Sequence, residues 1–193
     1  MNKDIKHYLA HYPNFFDKKI CNKTIKELKQ QKFFKHQFYS VTQDAAYHLS
    51  GDEELSVAFS EKMKKLPSTH ETIQKKLWYG IKKYIEDHNF PWFGDWSGYS
   101  PIRYNKYDEK TRMHSHCDHI HALFDGERKG IPTLSIICCL NDNYEGGDLV
   151  FFTDTPIKMK AGSLLVFPSN FLYPHEVKLI TKGTRYSFVS WVW

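Results

Sequence analysis

The spacing of hydrophobic positions changes character partway along the chain. Up to about residue 90 they recur at helical intervals. Cys21, Ile25 and Leu28 form one stripe behind Asp17, an acidic residue suited to a helix start. Leu55, Phe59, Met63 and Leu66 read as a second stripe, closed by Pro67. The clearest helix spans 69–88, where Ile73, Leu77, Ile81 and Ile85 repeat every fourth position and give one face that can pack on a sheet. From Trp92 onward the pattern breaks into short β-type runs at 100–105, 133–140, 148–152, 163–167, 173–180 and 184–193. Asn141 to Gly147 and Lys182-Gly183 are turn signals between them. Helices first and strands after predict an α+β, mainly β, single domain over 1–193, with 1–95 as mainly helical support and 96–193 as a β sandwich or barrel.

Composition adds constraints. A chain of 193 residues suits one domain with a sizeable core, and an aromatic content of 16% predicts that Phe, Tyr and Trp fill much of it. No apolar run has the length of a membrane span, and Met1 to Lys6 lacks the apolar stretch of a signal peptide. The expected location is cytoplasmic, with no membrane partner. Cysteines at 21, 117, 138 and 139 show no C-x-x-C spacing, which argues against structural zinc and for reduced thiols. The net charge of +5 is concentrated in the first forty residues, with nine Lys against three acids. A solvated Lys-rich helix accounts for it more simply than a nucleic-acid surface.

The densest polar cluster runs from Met113 to His121, with four imidazoles and one carboxylate. In extended chain His116 and Asp118 share a side while Cys117 faces away. A third ligand must come from a distant strand, and His175, opening a β-type run, is the best candidate. Two His and one carboxylate leave coordination positions open, as non-haem Fe(II) requires, whereas structural zinc closes its fourth position. His114, His119 and His121 read as surface or supporting residues. Ten residues after His175 comes Arg185, on a terminal strand where Ser187, Val189 and Trp191 share its face. A guanidinium inside a barrel is costly unless an anion pairs with it, and its planar fork matches a carboxylate. Ser187 could add a second hydrogen bond to that carboxylate. Trp191 reads as core.

Further matches surround these residues. Tyr107 lies nine positions before His116, with Tyr104 as an alternative; Leu140-Asn141 is followed by Gly146-Gly147-Asp148; and 160–167 forms a turn into an apolar run. Together, from Ile102 to Trp193, they resemble the prolyl 4-hydroxylase-like branch of the 2-oxoglutarate/Fe(II) dioxygenases. One departure is Lys110, where a Gly is common. The resemblance implies a double-stranded β-helix (jelly-roll) core buttressed by N-terminal helices. It implies iron held by His116, Asp118 and His175, with Arg185 on the far carboxylate of 2-oxoglutarate and Tyr107 and Ser187 as further contacts. It implies hydroxylation of a substrate C–H coupled to conversion of 2-oxoglutarate and O2 to succinate and CO2, with ascorbate as a candidate reductant for the iron.

The expected substrate is a protein or peptide, with a prolyl target resting on the resemblance alone. A free amino acid or small metabolite is the main alternative. A nucleic-acid demethylase is less favoured, because that related branch usually carries a second Arg six residues after the first, where this chain has Trp191. A non-catalytic β-barrel binding module would be expected to lose a ligand or the Arg, and both are kept. Residues 119–130 read as either a lid over the substrate or an ordinary loop.

Overall fold

The computed structural model describes residues 4–40, 45–47, 53–90, 93, 96, 98–118 and 132–193. The candidate lid, with His119 and His121, lies outside them. Among the described residues there are two α-helices, α1 (Lys18–Leu28) and α2 (His70–His88). The strands in chain order are β1 (Ala10–Tyr12), β2 (Phe34–Lys35), β3 (Phe38–Ser40), β4 (Ala45–Tyr47), β5 (Ser56–Phe59), β6 (Arg103–Tyr107), β7 (Met113–His116), β8 (Leu134–Cys139), β9 (Glu145–Gly146), β10 (Leu149–Phe151), β11 (Thr155–Ile157), β12 (Leu164–Pro168), β13 (His175–Val177), β14 (Ile180–Lys182) and β15 (Arg185–Val192).

Both helices begin and pack as the sequence dictates. The Asp17 carboxylate caps α1 by accepting from the Lys19 backbone N–H at 2.6 Å. On α2, Ile73, Leu77, Ile81 and Tyr84 are fully buried against the large sheet. Gly80 lies on the same side, where an added Cβ would come within 2.6 Å of a Leu164 methyl, so the helix rests close on β12. Leu77→Ala should lower unfolding free energy by about 2–5 kcal/mol, the usual cost of emptying such a site. Urea titration would read it, and a loss under ~1 kcal/mol would mean α2 is not anchored through this face.

The large sheet has the order β1-β12-β8-β15-β6-β5-β2, and a smaller one has β11-β10-β13-β7. The two sheets enclose a core that includes Ile137, Cys139, Leu165, Phe167 and Val189 from the large sheet and Met113, Leu149, Phe151 and Val177 from the small one. The alternate residues Ile136, Cys138, Leu164, Val166 and Phe188 face the helices. Strands buried on both faces read as continuous apolar runs, which explains 134–139. The architecture is a double-stranded β-helix with helices laid on its large sheet.

One reading is corrected. The stripe Leu55, Phe59, Met63 and Leu66 is not a helix: its first half is β5, paired with β6, and a short 3-10 turn follows over Ser60–Lys62. Leu55 and Val57 pack in the core between the sheets. The N-terminal part thus supplies strands as well as helices.

Candidate metal and co-substrate site

The register of the small sheet builds the metal cluster. His175 on β13 is the direct cross-strand partner of His116 on β7, and Asp118 follows two residues past His116. One donor atom each from His116, Asp118 and His175 lies within 4.8 Å of the others. Asp118 Oδ1 is 3.5 Å from His116 Nε2, and Oδ2 is 3.9 Å from His175 Nε2. Both rings are tethered by their other nitrogen. His116 Nδ1 donates to the His114 carbonyl at 2.8 Å, and His175 Nδ1 donates to the Tyr173 carbonyl at 3.1 Å. Each bond leaves Nε2 as the lone-pair donor, as a metal ligand needs. Phe151 stacks on the His175 ring at 5.1 Å and Phe167 meets it edge-on at 5.2 Å.

Charge states suit a cation. Burial lowers the His175 pKa to about 4, helped by neighbouring His116 and opposed by Asp118. His175 is therefore neutral at pH 7. Burial alone would raise the Asp118 carboxyl, but the two imidazoles hold it well below the usual carboxylate range. Cys117 points away, its thiol 3.4 Å from the Phe171 carbonyl. The His114 ring lies 3.9 Å from Glu54, outside the cluster. Among the described residues three ligand side chains converge with no fourth, which leaves room for other ligands on an ion.

Across the cavity stands Arg185, 1% exposed. Asn141 sets its position: the side-chain carbonyl accepts from the Tyr186 backbone N–H at 2.7 Å, and the amide donates to the Thr184 carbonyl at 2.8 Å. Arg185 Nε donates to the Tyr144 hydroxyl at 3.2 Å, and Nη1 donates to Ser187 Oγ at 3.4 Å. Its guanidinium carbon lies 4.9 Å from the centre of the Tyr107 ring. Buried Nη2 has no hydrogen-bond partner among the described residues, and no carboxylate ion-pairs with this arginine. Glu176, the acid that might have neutralised it, pairs with Lys178 instead at 2.6 Å. A buried guanidinium with an orphaned donor fits a bound carboxylate. Gly147, with φ +65°, lets the chain pack tightly beside this group: an added Cβ would collide with Ile180 Cδ1 and press on the Tyr144 ring.

Tyr107, not Tyr104, faces this side. Pairing sets Tyr107 opposite Arg185, whereas Tyr104 turns to the helix-side core and meets His70 Nδ1 at 3.3 Å. Lys110, the departure from the expected Gly, adopts φ +65°, the region glycine prefers. Trp191 packs against the core between the sheets, as expected, and also lines the cavity, with the Arg103 guanidinium 5.0 Å from its ring centre. The sequence reading missed Tyr144 as the partner of Arg185 Nε, and Arg103 and Asn105 as cavity groups. Tyr144 sat inside a recognised loop motif, and only alternation on β6 hinted at the other two. The cavity opens to solvent between the two sheets, lined by the metal cluster on one side and by Arg185, Tyr107, Asn105 and Arg103 on the other.

A jelly roll that sets two imidazoles and a carboxylate against a buried arginine defines a class, the non-haem oxygenase type of β-helix. Comparison with known proteins agrees. Residues 102–193 match the model of the 2OG-Fe(II) oxygenase superfamily. A PKHD-type hydroxylase of Acinetobacter baumannii is 40% identical over 99 residues, 48% of this chain and 42% of its own length. Another, from Crocosphaera subtropica, is 33% identical over 96 residues, 47% of this chain and 41% of its own length. The chain thus spans about two-fifths of the length of these relatives. A Trichoplax adhaerens prolyl hydroxylase, solved with a hypoxia inducible factor peptide fragment, superposes with TM-score 0.69 at 18% identity, covering 96% of this chain and 83% of that one. A Pseudomonas putida prolyl-4-hydroxylase gives 0.67 at 16%, covering 96% and 91%. Residues 102–193 are thus similar to the 2OG-Fe(II) oxygenase superfamily, and the chain shares the fold of the prolyl hydroxylases it superposes on.

Proposed function

We propose that this protein is an Fe(II)- and 2-oxoglutarate-dependent oxygenase that hydroxylates a protein or peptide at a prolyl residue. The observation that carries the reaction class is the pairing of His116, Asp118 and His175 with a buried, anion-seeking Arg185 across one cavity. His116, Asp118 and His175 would hold the iron, which supplies oxygen activation coupled to loss of CO2 from 2-oxoglutarate. The residues of the chain do the rest. Arg185 takes the far carboxylate of the co-substrate, Tyr107 covers the guanidinium face, and Ser187 and Tyr144 fix its fork. Phe151 and Phe167 wall the cluster off from water. The peptide and prolyl parts rest on the relatives and on fold neighbours that act on prolyl substrates. Trp191, standing where a demethylase would carry a second arginine, argues against a nucleic-acid substrate. A cytoplasmic setting belongs to the same proposal, resting on four cysteines of which none is held in a disulfide.

The test is succinate release from 2-oxoglutarate with Fe(II) and ascorbate, in the presence of Pro-containing peptides or methylated oligonucleotides. Peptides should stimulate turnover and oligonucleotides should not. Faster demethylation of an oligonucleotide than hydroxylation of any peptide would overturn the substrate class.

A further inference from the structure

The cavity wall carries a second guanidinium that neither the metal cluster nor the co-substrate pocket uses. Alternation on β6 turns Arg103, Asn105 and Tyr107 inward. Pairing with β15 sets Tyr107 opposite Arg185, Asn105 opposite Ser187 and Arg103 opposite Val189. The two arginines therefore stand at opposite ends of one wall, separated along the strands by on the order of 13 Å. The metal cluster lies on the facing sheet.

Arg103 is held in place. Its guanidinium stacks on Trp191 at 5.0 Å, Nε donates to Asn105 Oδ1 at 3.1 Å, and Nη1 lies 3.5 Å from His36 Nε2. Among the described residues no carboxylate forms an ion pair with it. Burial weakens its hold on the proton, opposed by the charge of Asp118. A stacked, oriented and partly desolvated fork that forms no ion pair among the described residues is suited to receive a carboxylate.

We propose that Arg103 is a specificity-determining residue, binding a carboxylate that the primary substrate carries close to the carbon to be oxidised. This rests on the oxygenase reading. The site then takes two anions, the co-substrate at Arg185 and the substrate at Arg103. The carboxylate comes either from a main-chain terminus, as in a free amino acid, or from an acidic side chain beside the target residue.

Calorimetric titration of the Fe(II)- and 2-oxoglutarate-loaded protein, kept anaerobic, tests this with matched pairs. One pair is N-acetylproline and its amide. The other is an end-capped Glu-Pro-Gly peptide and its Gln counterpart. In at least one pair the acid should bind about ten- to a hundredfold tighter, the equivalent of one charge-assisted pair. The pair that shows it identifies the source of the carboxylate. R103Q should reduce the preference to about twofold or less, and R103K should fall between. Equal binding of acid and amide by the unaltered protein, or no binding of either, overturns the proposal without recourse to any variant. So does a preference that survives R103Q. If R103Q instead weakens Fe(II) binding and both probes together, Arg103 supports Asp118 and the proposal is wrong. Succinate release is measured separately, so its absence beside an intact acid preference would sink the oxygenase reading alone.

Discussion

Replacing His116, His175 or Asp118 with Ala, one at a time, is expected to abolish 2-oxoglutarate turnover and Fe(II) retention. The three donor atoms fall within 4.8 Å of one another, and no fourth group of the described residues can stand in. Changing residues that merely support metal ligands costs about 10–100-fold in affinity or activity, so losing a ligand should cost more. Asp118 contributes a second effect. It is the one carboxylate of the cluster, and removing it leaves a dication facing two neutral rings and two guanidinium groups. Asp118→Asn separates this charge effect from volume and should also fail. His175→Ala opens space beneath Phe151 and Phe167, so its melting curve must accompany the metal titration. His114→Ala is the control. His116 is tethered to the backbone carbonyl of residue 114, which Ala retains, so activity should persist. An Ala variant of any of the three that binds Fe(II) and releases succinate at native levels would show that the ligand set is wrong.

The parts of this arrangement that sequence reasoning reached depend on local periodicity. Alternation placed Arg185, Ser187, Val189 and Trp191 on one face, and the structure turns all four into the cavity. The i, i+4 stripe of α2 and the Asp17 cap were equally legible, because each is decided within a few turns of chain. β5 was not. Its alternation is only four residues long and includes Ala58, so the spacing from Leu55 to Phe59 imitated a helix. Its true conformation is set by hydrogen bonding to β6, more than forty residues away in sequence. Arg103 and Asn105 were hidden for the same reason: their place in the cavity follows from register with β15. Trp191 was put on the correct face and in the core, and its place on the cavity wall was missed, because alternation does not reveal which end of a barrel is left unfilled.

Arg185→Lys should raise the half-saturating 2-oxoglutarate concentration by about ten- to a hundredfold while leaving Fe(II) binding intact. Lysine keeps the charge but presents a point ammonium in place of a planar fork. In the structure each edge of the fork has a separate task. Nε is committed to Tyr144 and Nη1 to Ser187, while buried Nη2 has no partner among the described residues and would take the co-substrate under the proposed function. An ammonium cannot serve all three directions in the same geometry. A hydrogen bond to a charged group contributes roughly 1.5–3 kcal/mol, and ~1.4 kcal/mol corresponds to one decade of affinity. Arg185→Ala should lose more, since the bound carboxylate would then face Tyr107 and apolar wall with its charge uncompensated. Ser187→Ala should lose less, because it removes a neutral group that positions the fork. The competing view is that Arg185 is structural, holding the Tyr144 loop to β15. Under that view Arg185→Lys lowers the melting temperature and leaves the 2-oxoglutarate requirement unchanged. Co-substrate titration against succinate output, with a melting curve on the same samples, separates the two. A lowered melting temperature at an unchanged half-saturation point would remove Arg185 from the co-substrate site.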